Sequence, residues 1–316
     1  RDGGLRIVKR LRGLGRLAGL LTVVAVAMFV AAPFSGADTS TTDPASRDQQ
    51  PVSGAAVSTP YTTVTAGGGS CSINVGLAFD GSRLLVSCED DSRIDAVSAT
   101  DGSLAQTYNV PGLSSLGALA WDGPRNVLYG CSNYNDVMKI DLVANTATKL
   151  FTSNGCFDGL AYDGTDDTFW ASPDANSTIT HYSYSGSVLG THDFGSELGG
   201  SGNSGIAVGG ATLYLANNGG SQIYTSDKSF TTVSLFATLS TRLEDMECDN
   251  VTFASASTTV MWVIDAYDRT VSAFEIPPGS CGFGGVAPTP PPTPAPPTTA
   301  APAAAPATVL QPRFTG

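Results

Sequence analysis

Positive charge is scarce in this chain: 16 lysines and arginines stand against 28 aspartates and glutamates over 316 residues. Six of those cations, Arg1, Arg6, Lys9, Arg10, Arg12 and Arg16, precede residue 17, so beyond residue 37 the balance is 10 basic against 27 acidic side chains. Phosphate binding needs stripes of Lys and Arg, which excludes nucleic acid as a partner. The acidity instead serves the solubility of an exported protein, or supplies oxygen ligands for hard cations. Histidine is nearly missing, and neither His181 nor His192 belongs to a Ser, His and Asp arrangement that would support a triad. The six cysteines include no CxxC pair, the spacing that structural zinc sites use.

Long apolar runs are lacking too, with one exception. Leu17 to Phe34 carries no charge, follows the basic stretch, and ends at Ser35, Gly36 and Ala37, with small residues where a signal peptidase reads. Residues 1–37 therefore read as a secretory signal. The alternative is an uncleaved anchor, since the run is almost long enough to span a bilayer, and membrane contact is expected nowhere else. Residues 38–58, rich in Ser, Thr, Asp and Ala, read as a disordered linker, and residues 287–316 as a disordered tail of Pro, Thr and Ala that acts as an extended stalk. The last residues, Gln311 to Gly316, resemble a sortase sorting signal without its hydrophobic helix or basic end; a plain tail or a truncation is the simpler reading. A secreted or cell-surface location follows.

Between these ends, LAFDG (Leu77 to Gly81), LAWDG (Leu119 to Gly123) and LAYDG (Leu160 to Gly164) recur about every 41 residues. Two worn copies, starting at Ile206 and Met246, lie 46 and 40 residues further on. A period in the low forties built of short β-rich runs marks a β-propeller. Turn signals and period-two alternation divide the first repeat into an inner strand ending at Phe79, then Arg83 to Cys88, Ile94 to Ser98 and Leu104 to Val110. The fifth repeat stops after Val271 to Ile276, at Pro277-Pro278-Gly279, and lacks its outer strand. Tyr61 to Thr65 is a β-rich run with no blade of its own. The two orphan pieces predict an all-β, five-bladed propeller over residues 59–286, closed by an N-terminal strand that completes the last blade.

Six cysteines in an oxidising compartment imply up to three disulfides, with fifteen pairings open to them. Strand order favours the sequential set: Cys71 with Cys88, Cys131 with Cys156, and Cys248 with Cys281. The Asp-Gly pairs read as hairpin turns, Asp tolerating and Gly favouring positive φ. Ala78, Ala120, Ala161 and Ala207 suit crowded inner strands. Trp121, Trp170 and Trp262 are expected between blades, and His181 and His192 on third and fourth strands away from the axis.

Chemistry, if any, belongs where the five inner strands open on the axis. Aligning the repeats puts Val75, Gly117, Asp158, Ser204 and Glu244 at that entrance position, with Asn74 and Asn203 one residue earlier and Asp245 and Glu247 following in LEDMECD. Asp158, Asn203, Glu244 and Asp245 are the candidate ligands of calcium or another divalent cation, which takes six to eight oxygens. A solvated acidic rim and a metal-dependent hydrolytic site are the two other readings of the same residues.

Phe157 to Asp163 and Asn203 to Val208 follow the line Pro, any residue, Gly, Ile, Ala, Val, Asp, and over about 220 residues the repeats resemble NHL-type propellers. In the gluconolactonase-like branch of that superfamily the entrance position carries metal-binding Glu, Asn and Asp, which the resemblance would map onto Glu244, Ser204 and Asp158. LEDMECD resembles the inner-strand motif of phytase-like esterase propellers. The leading expectation is an exported, monomeric binding module for a cell-surface glycan, peptide or protein. A lactonase-like or phytase-like hydrolase at the channel mouth is the alternative, and a purely structural surface protein is a third.

Overall fold

The computed structural model describes residues 60–66, 71–174, 176–195, 197, 202–217 and 220–281. The stretches read from sequence as a signal, a linker and a tail lie outside the described residues. β1 (Thr62–Thr65) stands alone in sequence. Blade one follows as β2 (Leu77–Phe79), β3 (Arg83–Cys88), β4 (Arg93–Ser98) and β5 (Leu104–Tyr108), and blade two as β6 (Leu119–Asp122), β7 (Val127–Ser132), β8 (Asp136–Asp141) and β9 (Thr146–Thr152). Blade three is β10 (Gly159–Asp163), β11 (Thr168–Ser172), β12 (Thr178–Ser183) and β13 (Val188–Asp193); blade four is β14 (Asn203–Gly209), β15 (Thr212–Asn217), β16 (Gln222–Asp227) and β17 (Val233–Thr238). Blade five has β18 (Asp245–Asp249), β19 (Thr259–Asp265) and β20 (Thr270–Ile276). Among the described residues the only helix is one 3-10 turn, Ala254–Ala256, and none is long and apolar enough to cross a membrane.

Five four-stranded antiparallel sheets result, and the fifth has the order β1-β20-β19-β18. Thr62 pairs with Ala273 and Thr65 with Thr270, so the N-terminal strand supplies the missing outer strand as expected. Each inner strand touches the next, and β18 touches β2, which closes the ring.

Alternation along each inner strand builds the seams between blades. Leu77, Leu119, Leu160, Ile206 and Met246 pack toward the preceding blade, while Ala78, Ala120, Ala161 and Ala207 face the following one. The alanines are small because neighbouring inner strands converge. At Gly76 the approach is closer still: a Cβ there would sit 2.2 Å from the Gly117 carbonyl oxygen. Trp170 and Trp262 are buried in these seams and Trp121 is partly buried in one, each such side chain stabilising the fold by roughly 1.5–3 kcal/mol on burial.

The repeated aspartates do more than turn the chain. Asp80, Asp122, Asp163 and Asp249 are buried. One oxygen of each accepts backbone amides of the turn that follows: Ser82 and Arg83 for Asp80, Arg125 for Asp122, Thr165 for Asp163, Val251 and Thr252 for Asp249. The second oxygen receives a side chain of the next strand: Arg83 Nε at 2.8 Å, Tyr129 OH at 3.2 Å, Trp170 Nε1 at 3.3 Å and Trp262 Nε1 at 2.9 Å, respectively. Positive φ falls on Gly81 (93°) and Gly210 (61°) but not on the glycines of the second and third copies. Those turns are longer, with four residues between the strands (123–126 and 164–167), and Asn126 (54°) and Asp167 (61°) take the left-handed step instead.

The fourth repeat has Gly209 where the others have Asp, for a reason the repeat itself does not contain. The segment after β20 packs there: a Cβ at Gly209 would lie 2.0 Å from the Ser280 carbonyl oxygen. That carbonyl accepts the Tyr214 hydroxyl at 3.0 Å, replacing the absent carboxylate. Cys281 is bonded to Cys248 of β18, holding the segment in place. The other two disulfides join Cys71 to Cys88 and Cys131 to Cys156, with Cα separations of 5.7 and 5.5 Å. The sequential pairing is thus the one present; Cys71–Cys88 staples blade one, and Cys131–Cys156 links blade two to the approach of blade three.

Candidate functional site at the channel mouth

Strand direction defines two faces. The approach to every inner strand and every connection between second and third strands lie on one face, here the entrance face; the other connections lie on the exit face. One residue before the repeat's Leu or Ile stand Gly76, Ala118, Gly159 and Gly205, but Asp245 in the fifth copy. Four small residues leave room at the axis and one carboxylate fills it. Asp245 is fully buried, and its Oδ2 accepts the backbone amides of Leu77 at 2.8 Å and Leu119 at 3.4 Å, on blades one and two. Its Oδ1 accepts the amide of Met246. Burial pushes the Asp245 carboxyl well above the usual carboxylate range, against the opposing effect of the Leu77 and Met246 amides.

Two residues on, the same substitution recurs: Ala78, Ala120, Ala161 and Ala207 give way to Glu247. Glu247 lies opposite Trp262 on β19, and burial pushes its carboxyl up to about 8. The fifth inner strand therefore carries two acids at positions where the other four offer glycine or alanine.

Glu244, at the entrance position, is buried and committed to partners. Ser204 Oγ donates to its Oε2 at 2.8 Å, joining blades four and five, and Arg242 pairs with its Oε1. Burial raises its pKa, against Ser204 and Arg242, which lower it. The Arg242 guanidinium lies 4.4 Å over the Tyr267 ring. Asn203 is buried and its Nδ2 donates to Ser172 Oγ at 2.8 Å, leaving Oδ1 without a hydrogen-bond partner among the described residues; Asn74 does the same with the Ser87 carbonyl. Asp158 is buried at its entrance position. Glu244 and Ser204 are brought together, whereas Asp245 is directed to the backbone of blades one and two. Among the described residues no three His, Cys, Asp or Glu side chains are grouped as metal ligands.

The histidines sit where strand assignment put them. His181 stacks on Trp170 at 3.8 Å and bonds Thr168, and burial holds its pKa below the usual value; His192 stacks on Phe230.

One feature of the entrance face was not foreseen. In the β7–β8 connection both Asn133 (φ 53°) and Tyr134 (φ 68°) are left-handed, a costly conformation for a tyrosine. Tyr134 is 44% exposed and stacks on Phe157 at 4.4 Å. The charge of Glu89 in the β3–β4 connection raises the pKa of its phenol, with burial and the charge of Asp174 in the β11–β12 connection adding to the effect. The only signal in sequence was a bulky Tyr between two asparagines, where a turn would take Gly.

No protein-family model matches the chain, and no curated protein does. Among solved structures, a glutaminyl cyclase from Myxococcus xanthus is similar with a TM-score of 0.53 at 11% identity, over 69% of this chain and 97% of that one. The chain is a β-propeller. A chain of a nidogen/laminin complex matches with a TM-score of 0.45 at 13% identity, over 64% of this chain and 83% of the other. These likenesses concern the fold and do not single out the NHL type.

Proposed function

We propose that this propeller is an extracytoplasmic binding module whose ligand docks on the entrance face. The observation that carries this reading is the placement of two disulfides. Cys71–Cys88 and Cys131–Cys156 both brace loops of the entrance face, the second directly beneath Tyr134, whose carbonyl accepts the Cys156 amide at 3.0 Å. Loops fixed before binding lose less conformational entropy on capture of a partner. The three disulfides also fit an oxidising, extracellular setting.

The hydrolase alternative requires carboxylate oxygens free to hold a metal with an open coordination position. Asp245 spends its oxygens on three amides, and Glu244 spends its on Ser204 and on a guanidinium whose charge opposes a cation. These residues suit a divalent cation poorly. Thermal unfolding in calcium and in chelator tests this, with equal midpoints expected; a rise of several degrees with calcium would restore the metal reading. The module reading itself is tested by screening glycan and peptide arrays for saturable binding. Silence on all of them would leave a structural surface protein.

A further inference from the structure

Two triplets of the chain have the form Asn, any residue but Pro, then Thr: Asn176-Ser177-Thr178 and Asn250-Val251-Thr252. No other asparagine has Ser or Thr two residues on. Enzymes that transfer sugar to an asparagine amide read this triplet, and the acceptor has to stand on a surface loop of an exported protein. Asn176 lies in the β11–β12 connection on the entrance face, and Asn250 opens the β18–β19 connection on the exit face; both are exposed. The asparagines that are buried among the described residues, Asn74, Asn203 and Asn217, each have glycine two residues on and lack the triplet.

The local geometry fixes each triplet and leaves its reacting groups free. Asn176 Oδ1 accepts the Thr178 amide at 2.9 Å, and the Asn176 carbonyl accepts the Asn203 amide at 2.9 Å. Its Nδ2, the atom that takes a sugar, has no hydrogen-bond partner among the described residues. At the other site Asp249 Oδ1 accepts the amides of Val251 and Thr252 at 2.7 and 2.9 Å, which turns the chain directly after Asn250. The connection that Asn250 opens spans residues 250–258, against 80–82, 123–126, 164–167 and 210–211 for the matching turns of the other blades. The longest of the five corners is the one that carries the triplet. The hydroxyls of Thr178 and Thr252 also have no hydrogen-bond partner among the described residues.

We infer that Asn176 and Asn250 each carry an N-linked glycan, added as the chain is exported. The three disulfides fit the kind of compartment in which such a transfer takes place. The sugar donor is a lipid-linked glycosyl phosphate. Nδ2 bonds the anomeric carbon, the bond from that carbon to the phosphate oxygen breaks, and the departing phosphate keeps the electron pair. The amide proton passes to a base of the transferase, so the step needs no oxidant or reductant. A glycan on either exposed side chain stays in water and displaces no packed group, whereas one on Asn74, Asn203 or Asn217 would be incompatible with the core. The inference is independent of what, if anything, the entrance face binds.

The test is mass spectrometry of peptides that span residues 176 and 250, cut from the full chain purified from its native source. Each peptide should be heavier than its sequence by a sugar chain joined to the asparagine. Variants made in the same source locate the signal. Thr252→Ala should abolish the addition at Asn250 and leave Asn176 modified, and Thr178→Ala should do the converse. Thr252→Ser should restore the addition at Asn250, since either hydroxyl completes the triplet. Asn109→Gln, at an exposed asparagine with proline two residues on, should change neither peptide. Circular dichroism and melting of the variants separate lost modification from lost fold. Unmodified asparagine at both positions in native material overturns the inference, as does a glycan that survives Thr252→Ala or Thr178→Ala. A glycan at one position alone overturns it for the other.

Discussion

At the residue scale, the places where the repeat is broken have specific physical causes. Gly209 replaces the corner aspartate because the Ser280 carbonyl occupies the space its side chain would need, 2.0 Å from a Cβ. Gly209→Ala should therefore cost about 1–3 kcal/mol of stability through overpacking against backbone. Gly190→Ala, on an exposed outer strand with no atom within 4 Å of the new Cβ, should stay within about 0.5 kcal/mol; urea unfolding of both variants checks the pair. The corner aspartates themselves were legible in the LAxDG repeat as turn formers, but half of their role was not. That Asp249 also accepts Trp262 Nε1 depends on strand pairing thirteen residues away. Asp249→Ala leaves that indole and two turn amides without their acceptor, and a loss of about 2–3 kcal/mol is expected, read by tryptophan fluorescence during denaturation.

At the element scale, β18 differs from its four counterparts in carrying Asp245 and Glu247 where they have glycine or alanine. Glu247 has its carboxyl raised from 4.5 to about 8, with burial the main cause and Asp249 adding repulsion. The folded state therefore binds a proton that the unfolded chain releases. Its contribution to stability is complete below about pH 4.5 and is lost as pH rises toward 8. Asp245 acts in the same direction. Between pH 5 and 8 the wild type should lose more stability than Glu247→Gln, and the variant should be the more stable of the two at pH 8; thermal melts across that range decide it. A parallel or steeper decline in the variant would show that Glu247 is not the group responsible. The acidic stretch LEDMECD is visible in sequence, and its composition suits a ligand set. Its direction was not visible, because whether a carboxylate points to solvent, to a cation or to an amide of another blade is decided by how inner strands converge.

At the scale of the whole molecule, the ring is held shut by a strand that is local to no blade in sequence. Removing residues up to Ala66 takes away β1 and leaves β20 as an unpaired edge. Such a chain should lose cooperative unfolding or associate through that edge, and size exclusion with melting curves tests it. The sequence by itself determined the number of blades and the strand-exchange closure, and favoured the disulfide pairing that the structure has. Periodicity, turn residues and strand order are local or counting properties, and they survive without knowledge of contacts. The tertiary structure alone decided that Asp245 bonds to the backbone of two other blades and that Glu244 accepts the Ser204 hydroxyl. Each joins groups 40 or more residues apart, and the sign of an interaction between such groups depends on distance and burial, which only the closed ring supplies.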